Sequence, residues 1–170
     1  MKKQQPPPIL LAEDNEEDIF LIRRAWEKCG FPNPLVVTND GYQAIDYLGG
    51  QPPYTDRRRY PLPCLLLLDI KMRLLDGFEV LVWLQTRPEL RHIPAVMLSG
   101  SHAAEDTERA AQLGAVDYFV KPFQPSELQS ILRRIHERWM TAPLRFINGR
   151  ARKPSDRFPQ FAVGREPVIG

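Results

Sequence analysis

The chain has 170 residues, enough for one domain with a substantial core and a terminal tail. With 43% hydrophobic and 26% charged residues it has the balance of a globular protein, not of a disordered or membrane-spanning chain. The net charge of +2 comes from the end of the chain: residues 141–170 carry six Lys and Arg against two acids, so residues 1–140 are net negative and the basic charge is no argument that the domain binds nucleic acid.

The opening MKKQQPPPIL has no apolar run of signal-peptide length, so the expected location is the cytoplasm, without membrane insertion. ILLAED (9–14) reads as a short buried strand ending in acids. In NEEDIFLIRRAWEKCG, Ile19, Ile22, Trp26 and Cys29 recur at helical spacing, Asn15 can cap the start and Gly30 stops the helix. PLVVT (34–38) is a second strand, and NDG leads into a short helix carrying Ala44, Ile45, Tyr47 and Leu48. GGQPPYTDRRRYPLP (49–63) shows no periodicity and reads as a long loop. CLLLLD (64–69) is apolar throughout, as a central strand covered on both faces must be. A helix with Phe78, Leu81, Val82 and Leu84 follows and closes near Pro88. PAVMLS (94–99) is the fourth strand, HAAEDTERAAQLGA a polar helix with an alanine stripe, and VDYFVKPF holds the fifth strand. The last helix begins at Pro125 and buries Leu128, Ile131, Leu132, Ile135 and Trp139. Cys29 and Cys64 have neither metal-ligand spacing nor a disulfide framework and read as small buried hydrophobes in a reducing compartment.

Strict strand–helix alternation predicts an α/β fold, a doubly wound five-stranded parallel sheet whose sites lie at the carboxyl ends of its strands. That rule gives the strand-end residues their meaning. The first strand ends in Glu13 and Asp14, the third in Asp69, the fourth in Ser99, and the fifth leads into Lys121. Alone, a strand-end aspartate is ordinarily a helix cap and a Lys-Pro pair a turn. Together, on strands one, three, four and five, they describe a pit in which three carboxylates call for a cation. Hard oxygen donors without soft ones read as Mg2+. Lys121 and Ser99 add donors for an anion beside it, and Asp69 can serve as a nucleophile forming an aspartyl phosphate.

Over residues 8–138 the sequence resembles the receiver domain of two-component response regulators. The resemblance rests on AEDNEED, LLLLDIKMRLLDG, VMLSGS and GAVDYFVKPF. It implies the flavodoxin-like strand order 2-1-3-4-5, which is a standard example of this fold. It further implies that Asp69 is the phosphorylated residue, that Glu13 and Asp14 organise Mg2+, with Asp14 the more direct ligand, and that the carbonyl of Lys71 completes the metal's protein ligands. By the same resemblance Ser99 is the switch hydroxyl, Tyr118 the aromatic that moves with it, and Lys121 the phosphate-binding lysine. Pro122 is the proline that in this family often follows a cis peptide bond. Asp76 is expected to cap the third helix and Gly77 to free its turn. Arg73 departs from the pattern, since the family usually has proline there. The 49–63 loop resembles that of regulators paired with phytochrome-type sensor kinases, a subgroup in which dimers are common. By base rate, Arg57, Arg58 and Arg59 within it form a solvated face.

The expected function is acceptance of a phosphoryl group from a sensor histidine kinase, in a homodimer, by a regulator and not an enzyme, with slow self-dephosphorylation. The expected organisation is a tail over 1–7, the receiver domain over 8–140 and a basic tail over 141–170, with no DNA-reading module. Two docking routes for that tail, free or seated through Leu144, Phe146, Phe158 and Phe161, stay open. The rival readings are an adaptor that is never phosphorylated and a metal-dependent aspartyl phosphatase. The second usually has another acid two residues past the nucleophile, where this chain has Lys71. A dinucleotide enzyme is disfavoured because no GxGxxG follows the first strand.

Overall fold

The computed structural model describes residues 5–141; the expectations for the basic tail, including Leu144, Phe146, Phe158 and Phe161, lie outside the described residues. Five strands, β1 (Ile9–Ala12), β2 (Leu35–Thr38), β3 (Leu65–Leu68), β4 (Ala95–Ser99) and β5 (Asp117–Val120), form one sheet in the order β2-β1-β3-β4-β5. Every neighbouring pair is parallel. The helices are α1 (Glu16–Cys29), α2 (Gly41–Gly49), α3 (Gly77–Gln85), α4 (Ala104–Gln112) and α5 (Pro125–His136), and α5 runs on into a π-helical turn over Glu137–Thr141.

The all-apolar strands follow from this layering. Alternate residues of a strand face opposite sides of a sheet. Leu10, Leu66, Leu68 and Met97 therefore join one core with Ala44, Tyr47, Phe78 and Leu81 of α2 and α3. Ile9, Leu11, Leu65, Leu67, Val96 and Leu98 join a second core with Ile22, Trp26, Leu132 and Ile135 of α1 and α5. Each fully buried leucine or isoleucine contributes about 1.5–3 kcal/mol relative to exposure, so a polar residue on either face of β3 would cost stability directly.

The helix ends match their sequence signals. Asn15 accepts the Asp18 amide at 3.0 Å, and Gly30 ends α1 with φ of 69°. Asp76 and Glu79 form a reciprocal capping box on α3. Gly77 has a different role from the one expected. A Cβ there would run into the carbonyl oxygen of Asp69, so glycine is required by close approach of α3 to the end of β3. Its amide donates to the Ile70 carbonyl at 3.0 Å.

The long loop also differs from its sequence reading. Arg57 is no solvated residue: its guanidinium donates to the carbonyls of Tyr47 and Leu48, both at 2.7 Å, and of Tyr60 at 3.3 Å. The first two bonds cap the end of α2, where the Tyr47 carbonyl also accepts the Gly50 amide at 3.3 Å. Tyr54 and Tyr60 pack against Tyr47, with ring centroids 5.1 and 6.2 Å away. Arg58 and Arg59 are exposed, as expected. Both cysteines are free and half-buried, less enclosed than their neighbourhoods suggested. Among the described residues the cis peptide bond is Pro52–Pro53, not the bond before Pro122.

Candidate functional site

The sheet order places β1 and β3 side by side at its centre, so Glu13 and Asp14 emerge next to Asp69. The Asp69 amide donates to the Ala12 carbonyl at 3.0 Å and fixes Asp69 against the end of β1. β4 and β5 lie beyond β3, and the Lys121 amide donates to the Ser99 carbonyl at 2.8 Å. Four separate sequence blocks thus meet at one strand-end pit.

The Lys121 ammonium occupies its middle. It stands 2.5 Å from Glu13 Oε2, 2.8 Å from Asp18 Oδ2 and 3.5 Å from Asp69 Oδ1. The first two are hydrogen bonds; the third is an ion-pair distance only. Asp69 Oδ1 is consequently a buried carboxylate oxygen without a hydrogen-bond partner. Burial raises the Asp69 pKa above the ordinary carboxylate range, opposed first by the charge of Lys121 and then by the Ser99 hydroxyl. Burial likewise pushes Glu13 up to about 7, against the hydrogen bond and charge of Lys121. Burial alone would lower Lys121, but the charge of Asp69 and the hydrogen bonds to Asp18 and Glu13 prevail and raise it. Asp14 is engaged elsewhere: its Oδ2 accepts the Arg73 amide at 2.8 Å and lies 3.4 Å from Arg73 Nε. Lys71 lies exposed in the loop two residues past Asp69.

Ser99 is fully buried, and its Oγ accepts the Ser101 amide at 3.4 Å. Tyr118 stands inward with its ring buried, and its hydroxyl donates to the Ser101 carbonyl at 3.0 Å. Ser101 in turn donates to Asp106 Oδ2 on α4 at 2.5 Å. Ser101 therefore joins Ser99, Tyr118 and the first turn of α4. Sequence reasoning missed it, along with Asp18. The available signals were weak: Asp18 lies four residues after Asp14, one helical turn along, and Ser101 two residues past Ser99.

The donor set suits a hard divalent cation. Glu13, Asp14 and Asp69 offer oxygen only, and the unpaired Asp69 Oδ1 is an acceptor without a partner. Among the described residues no three His, Cys, Asp or Glu side chains form a ready-made metal cage.

A doubly wound parallel sheet in the order 2-1-3-4-5, with acids at the ends of β1 and β3, a hydroxyl on β4 and a lysine after β5, has the architecture of an α/β receiver-type signalling domain. The response regulator receiver domain family matches residues 9–133, and the chain belongs to that family. Rcp1, a response regulator of Synechocystis sp., is 30% identical over 128 residues, 75% of this chain and 85% of Rcp1. The Mn(2+)-bound form of Rcp1 aligns with a TM-score of 0.71 over 81% of this chain and 98% of that one, at 29% identity. RPA3017, described as a response regulator in red light signaling of R. palustris, aligns with a TM-score of 0.77 over 81% of this chain and 96% of its own, at 30% identity. The phosphorylated cyanobacterial phytochrome response regulator RcpA aligns with a TM-score of 0.73 over 79% and 94%, at 34% identity. No helix among the described residues is long and apolar enough to cross a membrane.

Proposed function

We propose that this protein accepts a phosphoryl group on Asp69 from a phosphohistidine of a sensor histidine kinase of the phytochrome type, and that the new charge changes its interaction surface. The observation that carries this reading is the buried, unpartnered Asp69 Oδ1 at the end of the central strand, with the Lys121 ammonium 3.5 Å away. A carboxylate oxygen left free beside a cation can attack phosphorus while the ammonium stands ready for the charge on the phosphoryl oxygens. The oxygen–phosphorus bond forms as the phosphorus–nitrogen bond to the donor histidine breaks.

Glu13, Asp14, Asp69 and the Lys71 carbonyl would hold Mg2+, which when bound neutralises charge on the phosphoryl oxygens. Rcp1 has been solved with Mn(2+) and RcpA in a phosphorylated form, which supports both halves of the reading. After transfer, Ser99 turns to the phosphoryl group and Tyr118 adjusts with it. The Ser101 hydrogen bonds carry that change to α4. Water reaching the same pit hydrolyses the aspartyl phosphate slowly, so the protein acts as a regulator. The receiver unit spans 8–140, and two copies pair through the α4–β5–α5 face. The protein works in the cytoplasm without contacting DNA directly.

Acetyl phosphate with Mg2+ adds one phosphoryl mass to the wild-type protein and none to Asp69→Asn, as read by intact-mass measurement. No adduct in the wild type, or an equal adduct in the variant, overturns the assignment. Light scattering that finds only monomer, with and without beryllofluoride, overturns the dimer.

A further inference from the structure

We propose that Asp18 is a positioning residue that competes with the phosphoryl group for Lys121 and so sets how tightly the activated state is held. The inference rests on the phosphoacceptor reading of Asp69. An ammonium has three N–H donors. Here one goes to Glu13 at 2.5 Å and one to Asp18 at 2.8 Å, while Asp69 remains at 3.5 Å without a hydrogen bond. The lysine is thus drawn to the α1 side of the pit, away from the oxygen that would carry phosphate.

Of the three acids around Lys121, Asp18 differs in two ways. Glu13 and Asp69 are buried strand-end residues of the pit itself, whereas Asp18 sits in the first turn of α1 with a side chain 35% exposed. Glu13 and Asp69 also belong to the metal-and-phosphoryl constellation, and Asp18 does not. Lys121 keeps a third N–H, but to bring it within hydrogen-bond range of a phosphoryl group on Asp69 the ammonium must move off the α1 side of the pit, and that lengthens its contacts there. The contact to Asp18 is the one that can be surrendered without removing a group the reaction uses. Removing its charge frees the lysine for the phosphoryl oxygens. The competing explanation is structural: an acid in the first turn of a helix favours its dipole, whatever Lys121 does.

Beryllofluoride binding in the presence of Mg2+, read by fluorine NMR on the full chain, separates the two. Asp18→Asn is expected to lower the beryllofluoride concentration at half-saturation about fivefold, the size of a partly exposed ion pair. Asp18→Ser is expected to act in the same direction and serves if the first variant does not fold. In a Lys121→Gln background the same substitutions are expected to change half-saturation less than about twofold, because their effect acts through the ammonium. Unchanged or weaker binding in the Asp18 variants overturns the inference, and so does equal tightening without Lys121. A wild-type protein that binds no beryllofluoride refutes the phosphoacceptor reading itself, and the inference falls with it.

Discussion

The two ends of the same sheet are built on opposite rules. At the amino end, Asn33 Nδ2 donates to the Pro7 carbonyl at 2.8 Å and Trp26 Nε1 donates to the Asn33 carbonyl at 2.9 Å, while the buried Asp117 Oδ2, without a hydrogen bond, lies 3.2 Å from Arg138 Nη1. At the carboxyl end, three acids crowd one lysine, Asp69 Oδ1 has no hydrogen bond, and two carboxyls are pushed up by burial. Both ends rest on the same leucine-rich strands, so packing does not distinguish them. The difference lies in how charge is matched. At the amino end the buried Asp117 has a cation of its own in Arg138, whereas at the carboxyl end three acids share one lysine and leave room for a cation that a ligand can supply.

Substitutions can break that contrast from either side. The largest expected effect is at Gly77, where a methyl group meets the Asp69 carbonyl and nothing flexible can move aside. Gly77→Ala should cost about 3 kcal/mol, measured by urea denaturation, and should also slow adduct formation by shifting Asp69. Asn33→Ala should cost about 1 kcal/mol at the amino end, because the hydrogen bond from the buried Asn33 side chain to the Pro7 carbonyl is lost. Asp69→Asn should go the other way, gaining up to about 1 kcal/mol while abolishing the adduct, since it removes a buried charge and leaves Lys121 its two hydrogen bonds. A loss of stability in Asp69→Asn as large as that in Asn33→Ala would erase the distinction between the ends.

The contrast also explains what could be read from the chain alone. The layered fold was legible because short, wholly apolar strands and capped amphipathic helices are local signals, and Asn15, Gly30 and Asp76 each did what its type does. The strand-end rule placed Glu13, Asp69, Ser99 and Lys121 together, because topology brings strand ends together whatever the side chains choose. The choices themselves were not legible. Nothing in the sequence shows that Lys121 prefers Glu13 and Asp18 to Asp69, or that Asp14 turns to the Arg73 amide. Arg57 looks like its neighbours Arg58 and Arg59, and only the path of the loop carries its guanidinium to the carbonyls at the end of α2. Gly77 looked like a conformational glycine, and only the third dimension shows the carbonyl that excludes a side chain.

The smallest expected effect returns to the amino end and concerns pH. His136, at the end of α5, stacks on Phe31 with ring centroids 4.1 Å apart and planes within 4°, and meets Trp26 edge-on. Burial lowers its pKa below the ordinary 6.5, against a partial offset from Glu137. The folded protein therefore resists a proton that the unfolded chain accepts. Its contribution is complete above 6.5 and is lost as pH falls from there toward the folded value. The raised carboxyls, Glu13 and Asp69 among them, act with opposite sign, since the folded state binds their protons more readily and gains stability as pH falls. Whole-protein stability against pH therefore mixes the two ends, and a variant is needed to separate them. His136→Gln removes only the amino-end part. The difference in Tm between wild type and this variant should favour the wild type more at about pH 8 than at about pH 5.5, by on the order of 1 °C. A difference that is flat with pH would mean that the ring stack admits the imidazolium as readily as water does, and that the amino end is less closed than its hydrogen bonds indicate.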